Sequence, residues 1–356
     1  MKDRVLFEAR NVPAYQNKMF ETREAALACP TGDVILAQDM TSGFVVNIAY
    51  DPHLLRYDES YQNEQGVSSL FRNHLEQVLT KVKDAFGHGD ILEIGCGKGL
   101  FVELMLNNGL RARGLDGAYE GNSPHIEKRH FGSTTEVPAN AIVLRHVLEH
   151  IPDPLQFLRL IAHTNGNRGL IYIEVPCFDW IMHNKAWFDV FYEHVNYFRL
   201  PDFQRLFSRI VDSGHLFGGQ YLYVIADLSS LRNQMPATDF PAINFPSDFS
   251  LALDALAESA GTDSTRGRAI WGAAAKGVML SHHLGLRGVT FDIAIDINPG
   301  KQGHFLASSG LAVAAPREAL SNLPAGSEVY VMNSNYLAEI SDMGGDKFRY
   351  IPVDGP

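Results

Sequence analysis

The segment ILEIGCGKG, from Ile91 to Gly99, constrains this chain more than any other. Four apolar-dominated residues read as a buried strand, and Gly95, Gly97 and Gly99 then let the backbone turn tightly and approach a ligand without side-chain interference before a helix opens at Leu100. Such a strand, glycine turn and helix open an α/β fold, because ligands settle at the carboxyl edge of a parallel sheet. Upstream, apolar residues at Leu70, Phe71, Val78, Leu79, Val82 and Phe86 recur at helical spacing and stop before Gly87 and Gly89. Downstream come a helix over Leu100 to Leu106, a strand to Leu115, a strand Ala141 to Leu144, a helix Leu155 to Ile161 and a strand Leu170 to Val175. Strands alternating with helices predict a doubly wound, Rossmann-like parallel sheet.

Three units follow from punctuation. Residues 1–64 are mixed and broken by Pro13, Pro30, Gly32, Gly43 and Pro52, reading as a small β-rich lobe; residues 65–235 hold the alternating pattern; Pro236, Pro241 and Pro246 then mark a boundary. Residues 236–356 show a second alternation: a helix Asp248 to Ser259, strand Ala269 to Trp271, helix Lys276 to Leu284, strand Phe291 to Asp296 and strand Glu328 to Met332. This predicts a second Rossmann-like domain, suited to holding an acceptor.

Composition sets limits. A net charge of −11 over 356 residues opposes the positive field that nucleic acid demands, so no nucleic-acid partner is expected. No run spans a bilayer and the amino terminus lacks a secretory core, so the expectation is a cytoplasmic protein with no membrane partner and a small-molecule acceptor. Cys29, Cys96 and Cys177 are too few and too scattered for a disulfide framework or a four-cysteine zinc site. Oligomeric state is not legible.

The glycine loop discriminates among cofactors. A dinucleotide fingerprint wants a further glycine where Leu100 stands, and an acidic residue, Asp116, ends the following strand, so the spacing favours S-adenosylmethionine over NAD. Glu93 is then the candidate to orient the loop or meet the cofactor's ammonium, with Asp116 beside Gly117 accepting the ribose hydroxyls. Arg145, His146 and the segment 132–135 flank the adenine and methionine ends, although Arg145 serves equally well as a structural ion pair. His146, Glu149 and His150 share one turn, but Pro152 follows closely and no third ligand has diagnostic spacing, so no metal is expected.

Taken together, YDESYQNEQGVSSLFRNH (residues 57–74), ILEIGCGKG, VLEHIPDP (147–154), YEHVNYF (192–198), WGAAAKG (271–277) and DINPGKQGHFLASSG (296–310) resemble the three-domain sugar C-methyltransferases, which methylate nucleotide-linked deoxysugar ketones. The resemblance spans nearly the whole chain. It implies an active site containing Tyr61, His150, Glu193 and His194. Carbon methylation needs a proton removed beside a carbonyl, and a histidine suits that base, so His194 is the candidate base and Glu193 its orienting carboxylate, with His150 or Tyr61 bonding the developing enolate oxygen.

The chain departs from the family in two places. The paired cysteines of a zinc-binding amino-terminal lobe are reduced to Cys29, so that lobe is expected to stand by apolar packing, with Tyr57, Tyr61, Asn63 and Gln65 closing over the acceptor or forming a polar seam. Phe191 stands where the family commonly carries tyrosine, which leaves Tyr192, Tyr197 or Tyr61 to supply a hydroxyl to the acceptor. In WGAAAKG, Lys276 and the helix amino terminus suit a phosphate or carboxylate, or else the alanines serve only close packing. Asp296, Asn298, Lys301, Gln302, Asn333 and Asn335 follow strands at the edge where an acceptor would lie. Rival readings are a small-molecule O- or N-methyltransferase, an NAD-dependent oxidoreductase, and a degenerate S-adenosylmethionine-binding sensor.

Overall fold

A computed structural model describes residues 3–55, 66–132, 138–236, 240–261 and 267–354. Tyr57, Tyr61, Asn63, Gln65 and residues 133–135 lie outside the described residues. The long helix Ser69–Phe86 forms as its periodicity predicts: Ser68 caps it by accepting from Leu70 N, Phe71, Leu75, Val78, Leu79 and Val82 line its buried face, and Gly87 at φ +60° ends it. That face packs on Phe101, Val102 and Met105 of the helix Leu100–Asn107 and on strand residues Ile91 and Val143.

The central sheet has seven strands, in the order Ile210–Leu216, Tyr221–Asp227, Leu170–Pro176, Ala141–Arg145, Asp90–Ile94, Arg111–Asp116, Ile126–Lys128. Five are parallel, and Tyr221–Asp227 and Ile210–Leu216 add an antiparallel edge that the sequence reading missed. Their alternation is blurred by polar residues such as Asp212, Ser213 and His215 on the half-exposed outer strand. A Rossmann-like sheet is the result, and its carboxyl edge carries the glycine turn, Asp116, Arg145 and Pro176.

The five-stranded sheet of the carboxyl-terminal region is parallel throughout, ordered Val313–Ala314, Ile293–Ile295, Arg268–Trp271, Glu328–Val331, Arg349–Pro352. The amino-terminal lobe is an antiparallel sheet of Arg4–Pro13, Thr31–Gln38 and Val45–Asn47, completed by Asn196–Tyr197 from far along the chain. Its core is also shared. Leu36, Trp187, Tyr192, Phe249 and Met279 belong to one continuous apolar cluster running from the lobe into the carboxyl-terminal domain. The lobe is therefore held by packing, as its missing cysteines require, and Cys29, Cys96 and Cys177 are all free thiols. Among the described residues no helix is long and apolar enough to cross a membrane.

Tyr192 shows how the lobe is pinned. Its ring lies against Gly32, where an added Cβ would stand 2.2 Å from it, and its hydroxyl accepts from Asp51 N at 2.7 Å and donates to Asp51 O at 3.2 Å. Tyr192→Phe leaves a half-buried amide unpaired, and the expected cost is about 1–2 kcal/mol in urea unfolding, with cofactor affinity unchanged.

Candidate active site

Two cavities meet at the carboxyl edge of the seven-stranded sheet. The first is lined by Glu93, Gly95, Gly97, Asp116, Gly117 and Arg145. Close contacts set the glycine turn: a Cβ at Gly95 would lie 2.4 Å from Val147, and one at Gly99 2.1 Å from Ile126, so both are required by packing. Gly97, at φ +56°, has nothing within 4 Å of its would-be Cβ, so its left-handed backbone, not packing, favours glycine there. Asp116 spans the mouth, accepting from Gly97 N and Ala118 N at 2.8 and 2.7 Å, and each carboxylate oxygen retains a lone pair for a ligand hydroxyl. Gly117 admits the ring of His130, 2.1 Å from its would-be Cβ.

Glu93 and Arg145 form the floor. Glu93 is 2% exposed and its Oε2 has no partner among the described residues. Burial, aided by Asp116 and Glu174 and opposed by Arg145, pushes its carboxyl up to about 7. Arg145 lies over the Phe101 ring, 3.8 Å from Glu93 and bonded through Nε to Glu174 at 3.3 Å. Arg145 is thus a member of an ion-pair network, as one sequence reading expected, and it also lines the cavity.

Glu174, at the end of Leu170–Pro176, is a fully buried hub. His74 Nε2 lies 3.2 Å from its Oε1, Tyr172 donates to its Oε2 at 2.8 Å, and His146 Nε2 stands 3.1 Å from Oε1. Burial works against the charge, but Arg145, His146 and His74 together hold the carboxylate well below the usual range. His146 is caught between Glu174 and Glu149, whose Oε1 lies 3.4 Å from Nδ1. Burial alone would lower its pKa; the two carboxylates outweigh that and raise it to about 9. An imidazolium therefore stands at neutral pH in the wall between the cavities. The backbone there is strained to φ +51°, and the ring sits edge-on to Tyr221 at 4.5 Å.

His146 and His150 line both cavities. The second cavity adds Glu149, Asp189, Phe191 and His194 from the central region, Trp271, Lys276 and Asn298 from the carboxyl-terminal domain, and Asn17 from the lobe. His150 donates through Nδ1 to Glu193 O at 2.8 Å, since a carbonyl only accepts, and this fixes its tautomer with Nε2 unprotonated in the neutral ring. His194 is 7% exposed and packs against Phe191 at 4.0 Å between ring centroids. Burial, reinforced by His150 and His146, pushes its pKa well below the usual value, so it is a neutral imidazole.

Several expected site residues lie elsewhere. Glu193 turns into the lobe, where Oε1 accepts from Gln16 N at 2.8 Å, and it does not line the cavity. Tyr192 is the lobe pin, and Tyr197 gives its hydroxyl to Phe191 O at 3.1 Å; both are buried outside the second cavity, with backbone groups claiming their hydroxyls. Lys276 does face the cavity, but it is paired with Asp189 at 3.1 Å and bonded to Gln220. In the WGAAAKG turn Ala273 N donates to Asp296 Oδ2 at 3.0 Å, and Lys301 pairs with that same oxygen at 3.2 Å. The expected anion cradle is thus filled by the chain's own carboxylates. Asn298 lines the cavity and accepts from Gly300 N. Asp189 and Glu174 were missed as site residues, each a single acid in an apolar or aromatic run that carries no spacing signal, and Glu149 was weighed only as a metal ligand beside His146 and His150.

Comparison with known proteins agrees with this layout. Residues 66–210 match the family model described as a methyltransferase domain, and residues 251–346 the one described as a C-methyltransferase C-terminal domain. A curated relative, the ubiquinone biosynthesis O-methyltransferase of Vibrio cholerae serotype O1, is 29% identical over 28% of this chain and 46% of its own length. The chain therefore spans under half the length of the curated relatives it matches. Among solved structures, an S-adenosylmethionine-dependent methyltransferase from Mesorhizobium loti is similar over 45% of this chain and 100% of its own, at 12% identity and a TM-score of 0.35. The magnesium protoporphyrin IX methyltransferase of Synechocystis PCC 6803 is similar over 44% and 83%, at 14% identity and a TM-score of 0.34. With the glycine turn, Asp116 and the strand order already in place, residues 66–210 are matched as a methyltransferase domain and residues 251–346 as a C-methyltransferase C-terminal domain.

Proposed function

We propose that the chain transfers a methyl group from S-adenosylmethionine to a carbon beside a ketone in a small-molecule acceptor, a nucleotide-linked deoxysugar or related keto metabolite. The observation that carries this reading is the shared wall: His146 and His150 line both cavities, so a donor in one and an acceptor in the other meet across two imidazoles. Gly97, Asp116, Glu93 and Arg145 would hold the cofactor, whose sulfonium supplies an activated methyl. His194, kept neutral by burial, takes the proton beside the carbonyl. As that C–H bond breaks, the electron pair becomes an enolate, and the His146 imidazolium offsets the charge near the cavity wall. With the cofactor bound, the enolate carbon would take the methyl group as the S–CH3 electron pair leaves with sulfur, the ketone would re-form, and His194 would return its proton to water.

An O- or N-methyltransferase is the second reading. Phe191, with no hydroxyl where the sugar C-methyltransferases commonly have tyrosine, favours it. Incubating the protein and S-adenosylmethionine with nucleotide-linked 4-keto-6-deoxysugars and simple cyclic ketones, followed by mass and NMR analysis of the product, separates the two. A new C–CH3 signal is expected; a methyl on oxygen or nitrogen overturns the carbon assignment.

Two further outcomes concern the cofactor. Gly97→Ala should weaken S-adenosylmethionine binding at least about tenfold in calorimetric titration, while costing only about 1–2 kcal/mol of stability from its left-handed backbone. Since the Glu93 carboxyl titrates at about 7, its charge, and with it the attraction for the cofactor's ammonium, grows as pH rises through that value. S-adenosylmethionine affinity should therefore tighten between about pH 6 and about pH 8, and Glu93→Gln should flatten that dependence. The same raised pKa has the opposite sense for folding: the stability contributed by neutral Glu93 is full below its ordinary value and is lost as pH climbs towards 7.

A further inference from the structure

We propose that Glu149, and not Glu193, is the carboxylate that supports His194 when it takes up the acceptor's proton, a positioning residue acting through that histidine. The proposal rests on the reading of His194 as the acceptor-side base. Glu149 sits on the single turn Leu148–His150, its side chain 2% exposed. One oxygen faces His146, and the other, Oε2, has no partner among the described residues. His194 Nδ1 is likewise buried and unpartnered. One ligating atom each from Glu149, His150 and His194 lie within 4.8 Å of one another. An orphaned buried polar atom is costly, so two of them on neighbouring residues of one cluster point to a shared role rather than to packing. Residues whose polar atoms approach this closely can share a proton after a small rotation or through one water.

The backbone holds the two residues in register. Val195 N donates to Glu149 O at 2.8 Å and His150 Nδ1 to Glu193 O, so the turn and the loop carrying His194 are laced together on either side of the pair. That lacing also directs Glu193 away, since its carboxylate is bound to Gln16 N in the lobe.

Charge makes the need plain. A protonated His194 would be a buried cation facing His150 and the His146 imidazolium on the turn, with the Phe191 and Tyr197 rings on its own loop. The other acids of the cavity are engaged, Asp189 by Lys276 and Asp296 by Lys301, and Glu339 approaches Ser68 across the cavity. Glu149 is the carboxylate placed to offset the charge. The adjacent Glu-His pair in the sequence, Glu193 and His194, is thus replaced in space by a pair 45 residues apart.

The test uses the full chain bound to S-adenosylhomocysteine. His194 ring signals, assigned by loss in His194→Gln, are titrated by NMR with histidine labelled at Cε1. Glu149→Gln should lower the His194 midpoint by about one unit, Glu149→Asp should restore part of the shift, and Glu193→Gln should leave the midpoint unmoved. With a nucleotide-linked 4-keto-6-deoxysugar, Glu149→Gln should reduce kcat by about 10- to 100-fold at nearly constant KM. Retained S-adenosylhomocysteine affinity in Glu149→Gln, and the Glu149→Asp rescue, exclude simple misfolding. Glu149→Gln that leaves both the midpoint and kcat at parent values overturns the proposal while the base assignment survives; parent turnover in His194→Gln sinks the base assignment itself. A stoichiometric divalent cation in the purified protein, released by both Glu149→Gln and His194→Gln, would also overturn it, by making the orphaned atoms metal ligands.

Discussion

The buried Glu174 carboxylate is the constraint on which both halves of the site depend. It lies at the end of a central strand with no access to water, and an unpaired charge there would cost several kcal/mol. Arg145 satisfies it from the neighbouring strand, His74 from the long helix, Tyr172 from its own strand and His146 from the following turn. Each partner is thereby fixed for a further task. Arg145 is held over Phe101 as the floor beneath Glu93, and His146 is kept charged between the cavities. The strained φ of His146 is maintained because two carboxylates and the face of Tyr221 over-determine the ring's position.

This hub explains why part of the site was legible in the sequence and part was not. The glycine-turn side is local: strand, three glycines, helix and a terminal aspartate lie within 26 residues, from Ile91 to Asp116, with close packing at Gly95 and Gly99 and a left-handed backbone at Gly97. The second cavity is assembled from a turn, a distant loop, two strands of the second sheet and the lobe. Glu174 within LIYIEVP reads as one polar residue in a buried strand, and Asp189 within WFDVF as a break in an apolar cluster. Neither has periodicity or a motif, because their partners are His74, Arg145 and Lys276, far away in the chain.

Adjacency also misled where it looked most informative. YEHVNYF places an acid beside the candidate base, but its second half runs as an edge strand of the lobe sheet, pairing Val45 with Tyr197 and Val46 with Asn196. Just before that strand the backbone sends Glu193 to Gln16 and His194 to the cavity. Tyr192 is drawn into the lobe core by the bareness of Gly32. Domain limits blurred for the same reason, since the lobe takes one strand from the central region and shares its apolar core with the carboxyl-terminal domain.

The carboxyl-terminal domain contributes mainly by what it neutralises. A helix amino terminus with Lys276 beside it would attract an anion, yet Asp296 accepts from the Ala273 amide and from Lys301, and Asp189 crosses from the central region to Lys276. The Lys276 to Asp189 contact ties the two domains across the cavity, while the aromatic faces of Phe188 and Trp180 lie close to the ammonium. Any anionic part of an acceptor reaching this end must compete with built-in carboxylates for the same donors, whereas an uncharged part meets Trp271, Ile297 and Met332 without that competition. The field in the cavity is therefore concentrated at the opposite end, where His146 keeps its charge beside Glu149, His150 and His194.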